Sequence, residues 1–168
     1  MELRTRHPQT LEFLPGCVSL NAAKVTAILD SFRGSDLDPR YLGFFECFNQ
    51  QLFFEAHEVL EELWLAERGR AKDLFYKALI QIAGAFVHVQ KNRSQPATSL
   101  LKLARTYLGK YPPVYERLDL AEVGELMEEW LGRLASPGTQ PNSLFGLNPP
   151  RLALTGESGS QAKPIKAL

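Results

Sequence analysis

Phe54-Glu55-Ala56-His57-Glu58-Val59-Leu60-Glu61-Glu62-Leu63-Trp64 decides how this chain folds. Its apolar residues return at spacings of three and four, the period of a helix that buries one face. Followed backwards, the pattern reaches Asp38-Pro39, an N-cap residue and then a proline at the first helical position, where its missing N–H is harmless. Followed forwards, it reaches Gly69. Gly43 is the one interruption, so the pattern predicts a single helix of about 28 residues with Tyr41, Phe45, Leu52, Ala56, Val59 and Leu63 on its buried stripe.

Beyond the turn Arg68-Gly69-Arg70 a second helix is expected over about 71–92. Phe75, Ala78, Leu79, Ile82, Phe86 and Val89 form its main stripe, and Ile80, Ala83 and Val87 make its opposite side apolar, so it should be central and covered from two directions. A turn this short leaves only an antiparallel hairpin. Around the hairpin the sequence predicts a short first helix over about 20–32, capped by Ser19 or Asn21 and stopped at Gly34. A third major helix follows Ser94-Gln95-Pro96 and ends at Gly109, and Tyr111-Pro112-Pro113 is a rigid connector. Asp119, with Glu122 three residues on, starts a last helix running to about residue 134.

No run alternates in polarity as a strand would. The expected fold is therefore all-α: a bundle of about five helices on a central antiparallel hairpin, one domain over residues 1–135. A Pro/Gly-rich tail over 136–168 should be irregular and partly disordered. Within it Leu144-Phe145-Gly146-Leu147 and Leu152-Ala153-Leu154 are the pieces able to pack on the bundle.

Composition narrows the function classes. A chain of 168 residues with 45% apolar and 23% charged residues is an ordinary globular domain. Nineteen basic against nineteen acidic residues leave no excess charge for sequence-independent nucleic-acid binding, so nucleic acid is not an expected partner. Arg68, Arg70 and Lys72 at the hairpin tip read as a solvated turn; with Lys91 and Arg93 they are the basic residues such binding would have to use. Cys17 and Cys47 have no metal-ribbon or disulfide-scaffold spacing, which favours a reducing compartment, and Cys47 reads as core. Residues 1–15 lack the continuous apolar stretch of a signal peptide. The most apolar segment, residues 78–89, falls short of the roughly 20 residues that span a bilayer. A cytoplasmic protein without membrane association is expected.

A projection at about 100° per residue indicates which polar side chains meet. With Leu52, Val59 and Leu63 facing the second helix, Glu55, Glu58 and Glu62 fall on one shoulder, the side on which Gln81 and His88 lie. Gln81 is then level with Glu58, and His88 about one turn beyond Glu55. His57, Glu61 and Trp64 fall on the other side and form a secondary set.

Carboxylates, an imidazole and an amide carbonyl suit a divalent metal or a small polar ligand. Two close carboxylates could also share a proton for acid–base chemistry. The same pattern equally describes a structural hydrogen-bond network, since buried polar groups need partners simply to avoid a desolvation cost. No reaction is named by these residues. His57-Glu58-Val59-Leu60-Glu61 begins like the zincin motif but carries Glu61 where the second histidine is required. A di-iron carboxylate bundle needs two Glu-x-x-His pairs, which His57, His88 and His7 cannot supply. Phosphate-loop, dinucleotide and nucleophile-elbow motifs are absent from the sequence.

Phe48-Asn49, the string over residues 54–62 with Trp64, and Leu79-Ile80-Gln81 followed by His88 together resemble the domain-of-unknown-function family numbered 309. Asn92, Leu100-Leu101 and Tyr111-Pro112-Pro113 continue the resemblance, which covers about residues 44–120. It implies a compact helical bundle and no established activity. Its signature residues are those singled out above: Glu55, His57, Glu58, Glu61, Glu62, Trp64, Gln81 and His88. The family's usual glycine before the string is Gln51 here, and a tyrosine position is Phe53. Lys91-Asn92 and Pro96-Ala97 replace its Gly-Asn and Gly-Ala. Two functional expectations follow: a metal- or small-ligand-binding protein using Glu55, Glu58, Glu62, Gln81 and His88, or a non-enzymatic interaction or homo-oligomerisation module in which they are structural.

Overall fold

A computed structural model describes residues 21–146 and 148–156. Asp38 accepts a hydrogen bond from the Arg40 N–H at 2.8 Å and starts a helix at Pro39, as its sequence signal requires. That helix ends after 11 residues, well short of its expected length. The chain forms α1 (Ala22–Ser31), α2 (Pro39–Asn49), α3 (Phe53–Glu67), α4 (Asp73–Gln90), α5 (Ser94–Leu108), a hairpin of β1 (Val114–Tyr115) and β2 (Leu118–Asp119), α6 (Leu120–Leu134) and a 3-10 helix, Pro141–Gly146. The fold is all-α as expected. Among the described residues it has six α-helices rather than five, because the single helix predicted from Pro39 to the hairpin turn is two.

The break lies at Gln51. The Leu52 N–H donates to Cys47 O at 2.9 Å and the Gln51 N–H to Phe48 O at 2.9 Å, the paired bonds of a Schellman motif that satisfies the last carbonyls of α2. This motif requires left-handed backbone at Gln51, whose φ is +62°. A side chain there carries a steric cost of about 1–2 kcal/mol that glycine escapes. Glycine also adds freedom to the unfolded chain, which offsets part of the gain. Gln51→Gly should therefore raise stability by about 0.5–1 kcal/mol in urea denaturation, and a loss would show that Gln51 is not strained.

Breaking the helix lets α2 fold back on α3. A Cβ at Gly43 would lie 2.6 Å from Leu29 Cδ2 and 3.6 Å from Val59 Cγ1, so this glycine is where α1 and α3 close on α2. On the other side α4 runs antiparallel to α3 and packs against α5. It is the central helix: Phe75, Ala78, Leu79, Ile82, Ala83, Phe86 and Val89 have no exposed surface. The Phe86 ring centroid lies 4.9 Å from Trp130, 5.2 Å from Phe53 and 5.4 Å from Phe48, joining α2, α3, α4 and α6 at one point. Asp119 caps α6, accepting from the Ala121 and Glu122 N–H groups.

One feature departs from the expected all-helical core, and the two tail pieces expected to be able to pack on the bundle do so. The β1–β2 hairpin turns through Glu116 and Arg117, both with positive φ, and Tyr41 donates to Glu116 O at 2.9 Å to hold it. Part of the tail is ordered on the bundle. Phe145 stacks on Phe53 at 5.6 Å, Leu152 and Leu154 are buried, and Leu154 pairs with Leu118 as an antiparallel bridge. The expectations for residues 1–20 and for the last dozen residues lie outside the described residues. Among those described, no helix is long and apolar enough to cross a membrane.

Candidate functional site

Among the described residues Glu55 is the charged residue buried in the core, 8% exposed, and it points at α1: Asn21 donates to its Oε1 at 2.7 Å. Asn21 is the N-cap of α1, but its side chain makes no capping bond and serves Glu55 instead. Glu62 lies exposed on the same side, where its charge acts on Arg40 of α2. The Glu55–Glu62 shoulder of α3 thus faces α1 and α2, not α4.

The opposite edge of α3 meets α4. His57 Cδ2 lies 3.9 Å from where a Gly84 Cβ would be, with Leu100 Cδ1 of α5 at 3.5 Å from the same point. Gln81 and His88 flank Gly84 by three and four residues and share its face. A polar seam thus has the His57–Glu61–Trp64 edge of α3 toward the α4 face that carries Lys77, Gln81 and His88, with His57 beside Gly84 and Trp64 beside Lys77. The projection had assigned Glu55, Glu58 and Glu62 to this seam and turned His57 away. The error is physical: with α2 and α3 read as one rod, α2 could not compete for the Leu52–Val59–Leu63 stripe, and that stripe was given to α4. In the folded chain α2 sits there, and α3 is rotated so that its His57 edge reaches α4.

Burial lowers the His57 pKa, with Glu61 Oε2 at 3.9 Å from Nδ1 pulling the other way. His88 is also lowered, by burial first and then by the charges of Arg93 and Lys91. Both imidazoles are thus held toward the neutral form. Gln81 Oε1 and His88 Nδ1 are buried and have no hydrogen-bond partner among the described residues. Glu58 is raised by burial and then by repulsion from Glu55, Glu61 and Glu62. At the hairpin tip Trp64 Nε1 donates to Asp73 Oδ1 at 2.6 Å while the Gly69 N–H donates to Oδ2 at 2.8 Å. The Gly69 bond is the main reason the Asp73 carboxyl sits below the usual range. Arg68 and Lys77 lie 5.0 and 5.8 Å from the Trp64 ring centroid, so Trp64 and Asp73 lock the turn.

This arrangement limits the chemistry. Among the described residues no group of three or more His, Cys, Asp or Glu side chains is placed to hold a metal ion. The cations beside His88 also oppose binding of another cation. Cys47 is buried as expected, its thiol pushed up to about 11 by burial and then by Glu55, which makes it inert. Of the basic residues at the tip, Lys72 is paired with Glu116 at 2.9 Å and Arg70 with Glu67 at 3.4 Å. Sequence reasoning missed the Asn21–Glu55 pair and the part played by Lys77 and Leu100. Glycine at 84 within an apolar helix was the available signal for a close approach.

Residues 41–100 match the model of the family described as Domain of unknown function (DUF309). The match contains α3, α4 and every residue of the polar seam, and it ends before Tyr111-Pro112-Pro113. An "Uncharacterized protein" of Aquifex aeolicus (strain VF5) is 29% identical over 80 residues, covering 48% of this chain and 24% of that protein. The chain thus spans about a quarter of the length of that relative. No solved structure matches.

Proposed function

We propose that this chain is a protein-interaction module, and that its Glu-Ala-His-Glu string holds the helices in register rather than binding a metal or a substrate. The observation that carries this reading is the dispersal of the string: Glu55 goes to Asn21 on α1, and His57 goes to Gly84 on α4. Alternate residues of one helix turn serve different neighbours, as a packing device does and a convergent site does not.

Three substitutions test it. Glu55→Leu, which removes the acceptor of the Asn21 amide, should lower the melting temperature by a few degrees, the scale of a lost buried hydrogen bond of about 1–2 kcal/mol, and His57→Ala should lower it through lost packing against Gly84. Glu58→Gln should leave stability unchanged or raise it, because it removes a carboxylate that burial and three neighbouring glutamates disfavour. A small molecule or cation that binds the wild-type chain and is lost with Glu58→Gln would defeat the reading.

Gln81 Oε1 and His88 Nδ1 favour a second reading, a small ligand with hydrogen-bond donors seated in the seam. Mass spectrometry of the chain under non-denaturing conditions separates the two. A bound small molecule that disappears in Gln81→Leu supports the ligand, and an unliganded mass in both supports the module.

A further inference from the structure

Lys77, in the second turn of α4, stands between two aromatic rings from neighbouring helices. Its Nζ lies 5.8 Å from the ring centroid of Trp64 on α3 and 5.6 Å from that of Tyr107 on α5. Arg68 lies over Trp64 at 5.0 Å, and Lys110 over Tyr107 at 5.8 Å. Cations and rings thus alternate, Arg68–Trp64–Lys77–Tyr107–Lys110, across the end of the bundle where α3 finishes, α4 begins and α5 finishes.

Rings hold such side chains by cation–π attraction and by contact with their apolar stems, while the N–H donors stay in water. Among the described residues Arg68, Lys77 and Lys110 form no ion pair, whereas Arg70, Lys72 and Arg105 pair with Glu67, Glu116 and Glu128. The acid beside them is Asp73, whose carboxyl is lowered in part by Lys77 and Arg68. Its two oxygens already accept from Trp64 Nε1 and the Gly69 N–H. A chain with no net charge therefore keeps a positive face here, with Arg68 and Lys110 exposed and Lys77 half-buried. Leu65, 54% exposed, lies one turn before Arg68 on the same side of α3.

We propose that this face is the docking surface of the module and that its partner is an acidic protein segment, with carboxylates for Arg68, Lys77 and Lys110 and an apolar residue for Leu65. Charge complementarity selects such a partner and speeds its encounter. Cations already held against rings lose little freedom when a carboxylate arrives. The four contacts reach at most about 22 Å from end to end, the span of about six or seven extended residues. Single-stranded nucleic acid is the other polyanion that combines with cations and aromatic rings. Its bases stack on open ring faces. Here each ring already carries two cations, which favours carboxylates.

The proposal rests on the interaction-module reading and is tested with a fluorescein-labelled peptide, Glu-Glu-Leu-Glu-Glu-Leu-Glu, titrated with the full chain. Fluorescence polarisation should saturate with a Kd below about 200 µM at about 50 mM NaCl, and weaken at least about fivefold at about 300 mM. Lys77→Gln with Lys110→Gln should weaken binding about tenfold or more, and Lys77→Arg with Lys110→Arg should retain it. Lys91→Gln with Arg93→Gln, beyond the far end of α4, should leave it within about twofold of wild type. If the Lys77→Gln pair fails to fold by circular dichroism, Arg68→Gln with Lys110→Gln, both at exposed positions, replaces it. No binding at about 1 mM overturns the acidic partner. Equal weakening by the Lys91 and Arg93 pair, or tighter binding of a labelled oligouridylate, also overturns it. Those results leave the module reading standing, whereas a small molecule lost in Gln81→Leu would overturn the module reading itself.

Discussion

Phe86→Ala will destabilise the chain by about 3–5 kcal/mol, the range for deleting a fully buried aromatic ring. The ring has no exposed surface and meets Trp130 edge-on, Phe53 in a stack and Phe48 edge-on. Its removal forfeits apolar burial and the ring contacts to Trp130, Phe53, Phe48 and Phe145, each worth about 0.5–1.5 kcal/mol beyond their area. The rings around it belong to α2, α3, α6 and the 3-10 helix, so no single side chain can move in to fill the space without shifting an element. Against a total stability typically of 5–15 kcal/mol, this is a large fraction. Urea denaturation read by tryptophan fluorescence and by circular dichroism measures it, with Leu65→Ala on the exposed face of α3 as a control within about 0.5 kcal/mol of wild type. A loss below about 1 kcal/mol would mean that Phe86 is not where the helices meet.

Acidification from pH 7 to 5.5 will lower stability progressively, from the two histidines of the seam. Both are lowered from 6.5 in the folded chain, chiefly by burial. Below that value the unfolded chain binds protons that the folded chain refuses. Stability is therefore complete above pH about 6.5 and is lost as pH falls through the folded values, at up to about 1.4 kcal/mol per pH unit for each proton. His88 contributes less than His57, being nearer solvent. Asp38 and Asp73 are lowered carboxylates and lose their contribution only below pH about 4, so the two windows do not overlap. Denaturation midpoints at half-unit pH steps test this, and His57→Gln with His88→Gln should flatten the slope. A wild-type midpoint constant between pH 7 and 5.5 would show that the imidazoles are not held neutral.

These effects locate what was legible beforehand. Helix starts could be read wherever a side chain satisfies orphan N–H groups, as at Asp38 and Asp119, because a cap is a local interaction. The central position of α4 was equally plain, since only a helix covered from two directions tolerates apolar residues at 80, 83 and 87 as well as along its main stripe. The end of α2 was hidden because Gln51 takes a backbone conformation usually given to glycine, leaving no punctuation in the residue type. That one concealed turn also reversed the polar edges. With α2 unaccounted for, Glu55, Glu58 and Glu62 were assigned to Gln81 and His88, when packing had given Glu55 to Asn21 and His57 to Gly84.

From sequence alone came the class of fold, the antiparallel hairpin and the set of residues that matter, all of them products of short-range period and capping. The tertiary structure alone decided which of those residues face one another. Helix rotation about its own axis is set by every neighbour that competes for its surface, here α2 on one side of α3 and α4 on the other. The docking of Leu152 on Asn49, whose side-chain amide exchanges hydrogen bonds with the Leu152 N–H and C=O from about a hundred residues away, was decided in the same way. No local signal marks an amide that takes the place of a strand.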